Sequence, residues 1–189
     1  MRNPQNPEKE YLRVSEVLYP FSGLGTIDKS IVDNAARRGT KVHKICEAII
    51  EGLGEIGVDD EAKGYVESFK KWWLLGHEVY CMEHRFWDDT HDITGQVDLI
   101  IENEDGLSIV DLKTSYKPSK TWPNQLSAYA LLARNTGLKI DRIMIIHLNK
   151  HGKDPTVYEY EIDTDLFLEI LKIYKYFFTD TIKNDPINQ

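Results

Sequence analysis

Residues 94–113 constrain the chain more than any other stretch. Two apolar runs, 94–101 and 107–113, flank the polar tetrad Asn103-Glu104-Asp105-Gly106. Runs of this length on either side of a turn ending in glycine specify a β-hairpin. Charged residues nonetheless interrupt both arms: Asp98 in Gly95-Gln96-Val97-Asp98, and Asp111 and Lys113 in Val110-Asp111-Leu112-Lys113. Residues two apart share a strand face, so Asp111 and Lys113 point one way and Leu112 the other. Pairing about the turn brings Asp98 and Asp111 to the same end of the hairpin. An Asp-x-Lys triplet usually marks a solvated edge strand. Here the neighbours Leu107, Ile109, Val110 and Leu112 argue for a central strand, where charge needs a reason.

Two carboxylates held together repel and call for a cation between them. Oxygen ligation with open water positions suits Mg²⁺ or Mn²⁺ rather than structural zinc. A lysine beside the pair can stabilise charge on a transferring group or position an attacking water. Together these are the parts for metal-assisted phosphodiester hydrolysis.

The pattern around the hairpin predicts where other elements lie. Apolar residues at helical spacing place a first helix over 33–52, with Val42, Ile45, Cys46 and Ile49 inward. A second helix, capped by Asp59 or Asp60, carries Tyr65, Phe69, Trp72 and Trp73 inward and stops at Gly76. A strand of mixed faces follows over 77–87. Beyond the hairpin come a helix at 122–134, strands at 142–148 and 155–162, and a final helix from 163 to about 183. On that last helix Leu166, Phe167, Ile170, Leu171, Tyr174 and Phe177 or Phe178 are expected to face in. Helices, three strands, a helix, two strands and a helix imply an α/β (mixed α+β) fold with a central mixed sheet flanked by helices. Residues 1–10, polar with two prolines, read as a poorly packed arm, and 11–189 as a single domain.

Further residues become candidates by position. Gln125 and Tyr129 are spaced i, i+4 on one helix face, and the N-terminus of that helix favours phosphate. His43 sits at the edge of the first helix's apolar stripe, where it is either a core residue or a metal ligand. Arg37, Arg38, Lys41 and Lys44 form a basic run that either faces solvent or holds a phosphate backbone. Trp122 is placed either to stack a base or to join the core.

Charge narrows the function classes. With 23 Lys+Arg against 31 Asp+Glu the net charge is −8, which disfavours coating of nucleic acid through bulk positive charge. Cys46 and Cys81 are too few for a disulfide framework or a four-thiolate cluster. No apolar run approaches the roughly 20 residues of a membrane span, and the opening residues lack the apolar stretch of a secretory signal. The expectation is a soluble, intracellular protein of the cytoplasm, bacterial or phage-like, with no membrane partner.

Taken in order, GTKVH, GQVDLI, IVDLKTS and QLSAY resemble the RecB-like branch of the PD-(D/E)XK nuclease superfamily, over about residues 38–131. YLRVSEVL near the start resembles the lead-in of its phage and mitochondrial genome maintenance members. The resemblance implies a restriction-endonuclease-like core. It implies that His43, Asp98, Asp111 and the backbone carbonyl of Leu112 hold the metal, that Lys113 is the catalytic lysine, and that Gln125 and Tyr129 support site and substrate. Arg38 and Lys41 would then lie near the DNA. Two departures stand out: no proline precedes the second-motif aspartate, and the iron–sulfur cysteines of some members are missing, so no iron–sulfur cluster is expected. No helicase motif is present, so a helicase or recombination partner would be a separate chain.

The leading expectation is a Mg²⁺- or Mn²⁺-dependent deoxyribonuclease, exonuclease rather than endonuclease, acting on single-stranded DNA or DNA with free ends and leaving 5′-phosphates. The alternatives are a catalytically silent nucleic-acid-binding or scaffolding module of the same fold, and a hydrolase of small phosphorylated substrates. No Gly-rich phosphate loop supports the last.

Overall fold

The computed structural model describes residues 1–179. Strands β1 (Arg2–Asn3) and β2 (Asn6–Glu10) open the chain, followed by β3 (Leu12–Arg13) and α1 (Val14–Leu18). Two 3-10 turns, Tyr19–Phe21 and Leu24–Thr26, lead to α2 (Lys29–Ile50) and α3 (Asp60–Trp73). Next come β4 (Glu78–Asp88), β5 (Ile93–Asn103), β6 (Gly106–Lys113), α4 (Trp122–Arg134), β7 (Ile140–His147), β8 (Thr156–Tyr160) and α5 (Thr164–Phe178).

The six-stranded sheet runs β3-β5-β6-β7-β8, with β4 also paired to β5. Pairs β4–β5, β5–β6 and β7–β8 are antiparallel, whereas β3–β5 and β6–β7 are parallel. The sheet is therefore mixed, as expected, and α4 is the crossover that lets β7 return parallel to β6. Helices cover both faces. Val14, Val17 and Leu18 of α1, Leu126 and Leu132 of α4 and Phe167 of α5 bury one face with Ile109, Ile143 and Ile145. Val42 and Ile45 of α2 and Val66, Phe69 and Trp72 of α3 bury the other with Val110, Leu112 and Ile146. The alternation of β6 decides this partition, since odd positions face α4 and even positions face α2.

Local signals explain the helix ends. Asp59 caps α3, its carboxylate accepting from the Ala62 amide, and Asp28 caps α2 through the Ser30 amide. The first helix thus begins about one turn before the expected residue 33. Gly64 on α3 is a packing position: a Cβ there would lie 1.9 Å from the Lys150 carbonyl oxygen.

Two expectations need correction and one open alternative is decided. Residues 1–10 are not a loose arm. They form the β1–β2 hairpin, pinned by the Met1 ammonium donating to the Tyr11 carbonyl at 2.9 Å. The Lys9 ammonium, 2.6 Å from Asp92, ties the same hairpin to the residue just before β5. On α5, Phe167, Leu171 and Tyr174 form the buried i, i+4, i+7 stripe, whereas Leu166 and Phe177 lie off it and Phe178 is the helix's last residue, and all three are exposed. The expected last turns, to residue 183, fall outside the described residues. Trp122 joins the core at 4% exposure and packs edge-on against His147 and Tyr158. Among the described residues no helix is long and apolar enough to cross a membrane.

Candidate active site

The site forms where two strands part. The β5–β6 ladder runs from Asn103↔Gly106 to Leu99↔Val110 and stops there. Further along that edge of β5, β3 pairs only with Ile93 and Thr94. Between the two, Gly95–Asp98 have no strand on that edge, β4 pairing only on the other, while β6 continues along β7 to Lys113↔His147. Asp98 and Asp111 are the first residues past the last rung, one on each side of the opening. The Asp98 carboxylate accepts the Leu112 amide at 2.9 Å, a side chain substituting for the missing ladder partner.

Side chains on the α4 face of the opening interlock. Lys113 Nζ lies 2.6 Å from Asp111 Oδ2 and donates to Gln125 Oε1 at 3.1 Å. Gln125 Nε2 donates to Asp111 Oδ1 at 3.1 Å and to the Tyr129 hydroxyl at 2.9 Å. Each end of this amide meets its complement, which fixes its orientation. The i, i+4 spacing does bring Gln125 and Tyr129 into one contact. Gly95 admits the tyrosine ring, since a Cβ there would lie 2.6 Å from it.

On the α2 face, His43 Nδ1 lies 3.4 Å from Asp98 Oδ2, and Nε2 is 2.8 Å from the Leu112 carbonyl oxygen. Both ring nitrogens thus face acceptors. Burial alone would lower the imidazole pKa, but the charge and hydrogen bond of Asp98 outweigh it and raise it to about 9. The two aspartates separate. Burial pushes Asp111 up to about 6, with the Asp98 charge adding to it and Lys113 opposing. Burial acts on Asp98 too, but His43, Lys113 and the Leu112 amide hold it below the usual range.

Glu83 of β4 was not anticipated. Met82 pairs with Leu99 and His84 with Val97, leaving Glu83 opposite Asp98 at φ +47°. The faces of β5 exchange there, for Val97 packs under α4 and Leu99 under α2. This irregularity turns the Glu83 carboxylate toward the site. Donor atoms of His43, Glu83 and Asp98 all fall within 4.8 Å of one another, in a narrow cleft that Glu47 and Met82 also line. Gln96 donates to Glu83 at 2.5 Å and accepts from Arg85 at 2.6 Å, which steadies it. Strand periodicity carries no sign of a residue aimed by a break in that periodicity. The only local signal is an acid within a strand of mixed faces.

The basic run is deployed elsewhere. The Arg38 guanidinium lies 3.7 Å from Glu61 and over the Tyr65 ring, and Lys41 is 2.5 Å from Asp59. Both are tied to α3, so the structure does not bring them together with the carboxylates.

The donor set fits a hard divalent cation. It is rich in oxygen, with one imidazole, and the buried Asp111 Oδ2 meets only the Lys113 ammonium, 2.6 Å away.

A mixed sheet opened between two central strands, with acids on both lips and a lysine beside one, defines a hydrolytic nuclease core. The family model of the PD-(D/E)XK nuclease superfamily matches residues 58–177, and the chain belongs to that superfamily. No curated protein matches the sequence. Among solved structures, a candidate exonuclease from Eubacterium rectale aligns at TM-score 0.55 and 16% identity, over 89% of this chain and 79% of that one. An alkaline exonuclease from Laribacter hongkongensis aligns at TM-score 0.48 and 13% identity, over 88% and 86%. The first of these likenesses shows the fold.

Proposed function

We propose that the protein is a Mg²⁺- or Mn²⁺-dependent deoxyribonuclease of the RecB-like branch, acting on DNA from free ends. The observation that carries this reading is the intact Asp98–Asp111–Lys113–Gln125 arrangement at the strand opening, with His43 and Glu83 behind it.

Asp98, Asp111, the Leu112 carbonyl and His43 would hold the cation, with Glu83 as a further carboxylate. A bound divalent cation would supply a water that ionises near neutral pH and a charge that offsets the attacked phosphoryl group. Lys113 then orients the attacking water or donates to a phosphoryl oxygen. Gln125 keeps that ammonium and the Asp111 carboxylate in register, and Tyr129 holds Gln125. His43 shuttles no proton in this scheme. Its two ring nitrogens face Asp98 and the Leu112 carbonyl oxygen, which places it to serve as a ligand beside them if a cation were bound. A helicase or recombination protein supplying DNA ends would be a separate chain. The catalytically silent alternative is less well supported, because a decayed site would not keep Asp111 buried beside Lys113 and Gln125.

The test incubates labelled linear and circular single-stranded DNA with Mg²⁺, Mn²⁺ or EDTA, with Asp111→Ala alongside. Metal-dependent loss of the linear substrate alone, abolished in the variant, is the expected result. Cleavage of circles would make the protein an endonuclease. Inactivity on single strands, duplexes, flaps and RNA would favour the binding module.

A further inference from the structure

The loop of residues 114–121 begins one residue after Lys113 and ends one residue before α4. Because Lys113 donates to Gln125 in the first turn of α4, both ends of the loop are tied at the site. It carries Lys117 and Lys120 and no acid, in a chain of net charge −8. Among the described residues neither lysine makes an ion pair, whereas Arg38 and Lys41 do. Tyr116 is 83% exposed, with the Lys117 ammonium 6.0 Å from its ring centroid. The loop is braced around this ring. Ser115 Oγ donates to the Lys117 carbonyl at 2.9 Å, His147 bonds the Ser115 carbonyl at 2.6 Å, and Ser119 bonds Thr121 at 2.8 Å. The aromatic presented to solvent is therefore Tyr116, while Trp122 is shut into the core.

We propose that Tyr116 is a stacking platform for an unpaired base next to the scissile phosphodiester, with Lys117 and Lys120 gripping the flanking phosphates. Three residues span at most roughly 10 Å of backbone from Lys113, to which the two side chains add their own lengths, so the stacked base belongs within a few nucleotides of the bond cleaved. Interior duplex bases keep both faces covered and a blunt end offers only the outer face of its terminal pair, whereas a single strand can lay successive unpaired bases on the ring. The loop thereby sets a preference for single-stranded ends. This rests on the nuclease reading above.

Steady-state kinetics of the full chain on a single-stranded oligonucleotide and a blunt duplex of the same sequence test it. Binding is measured in parallel in an Asp111→Asn background, with 2-aminopurine near the end as the stacking reporter. Tyr116→Ala should raise KM on the single strand about tenfold or more, with a smaller change on the duplex, loss of 2-aminopurine quenching and an unchanged melting temperature. Tyr116→Trp should restore both the single-strand KM and the quenching. Lys117→Gln with Lys120→Gln should flatten the salt dependence of binding by a log–log slope of about 1.4. Wild-type KM and quenching in Tyr116→Ala, or equal loss on both substrates, would overturn the platform while leaving the nuclease intact. A wild-type chain that neither cleaves nor binds DNA would overturn both.

Discussion

The two halves of the β5–β6 pair differ sharply. From Asn103↔Gly106 to Leu99↔Val110 it is an ordinary ladder whose inner residues, such as Ile100 and Ile109, are fully buried. One residue further on, backbone pairing ends and polar side chains take over. Asp98 accepts the Leu112 amide, while Gln125 spans Asp111 and Lys113. The closed half fixes the register, and the open half uses that register to bring one acid to each lip. The opening also joins the two faces of the sheet, so Asp111, Lys113 and Gln125 from one side and His43 and Glu83 from the other address a single place.

This contrast can be broken at either end. The largest effect belongs to the open half: Asp111→Ala or Lys113→Ala should lower cleavage on the order of a thousandfold or more while circular dichroism and the folding transition persist. A variant of either kind with near-wild-type turnover would sink the assignment. In the closed half, Ile109→Ala should cost about 2–5 kcal/mol of stability in urea melts, with activity per folded molecule largely kept. A comparable loss of specific activity would show that the halves are not separable.

The pH dependence of the metal-free protein sharpens the picture of the open half. The His43 pKa rises from 6.5 to about 9 on folding. Its stabilisation is therefore fully present below pH 6.5 and is lost as pH rises through 9, a change of up to about 3 kcal/mol. Melting of the EDTA-treated protein from pH 6 to 10 should fall more steeply in the wild type than in His43→Gln, and parallel curves would contradict this. The smallest effects belong to Arg38→Gln and Lys41→Gln, which should cost less than about 1 kcal/mol each. They should also raise KM on single-stranded DNA less than Lys117→Gln with Lys120→Gln.

Much of this was legible in the sequence because it follows local periodicity. The hairpin about Asn103–Gly106, the shared face of Asp111 and Lys113, the bounds of α4 and the Asp59 cap each depend on a few adjacent residues. The residues singled out from the family resemblance fall into two contacting groups, His43 with Asp98 and Leu112, and Asp111 with Lys113, Gln125 and Tyr129. What escaped depends on departures from periodicity or on distant partners. Glu83 is aimed by a break in β4. Arg38 and Lys41 looked free until α3 supplied Glu61 and Asp59. Residues 1–10 looked loose until Tyr11 and Asp92 supplied the contacts that hold them.

The Gln125 amide has a consequence for mutational tolerance. Its oxygen must meet an ammonium while its nitrogen meets a carboxylate and a hydroxyl. Glutamate has the shape but puts a third negative charge against Asp111, methionine has the length but neither polar end, and asparagine is one methylene short. In a saturation library scored for cleavage, position 125 should accept a single letter. Arg38, on α2 beside Glu61 of α3, should accept many.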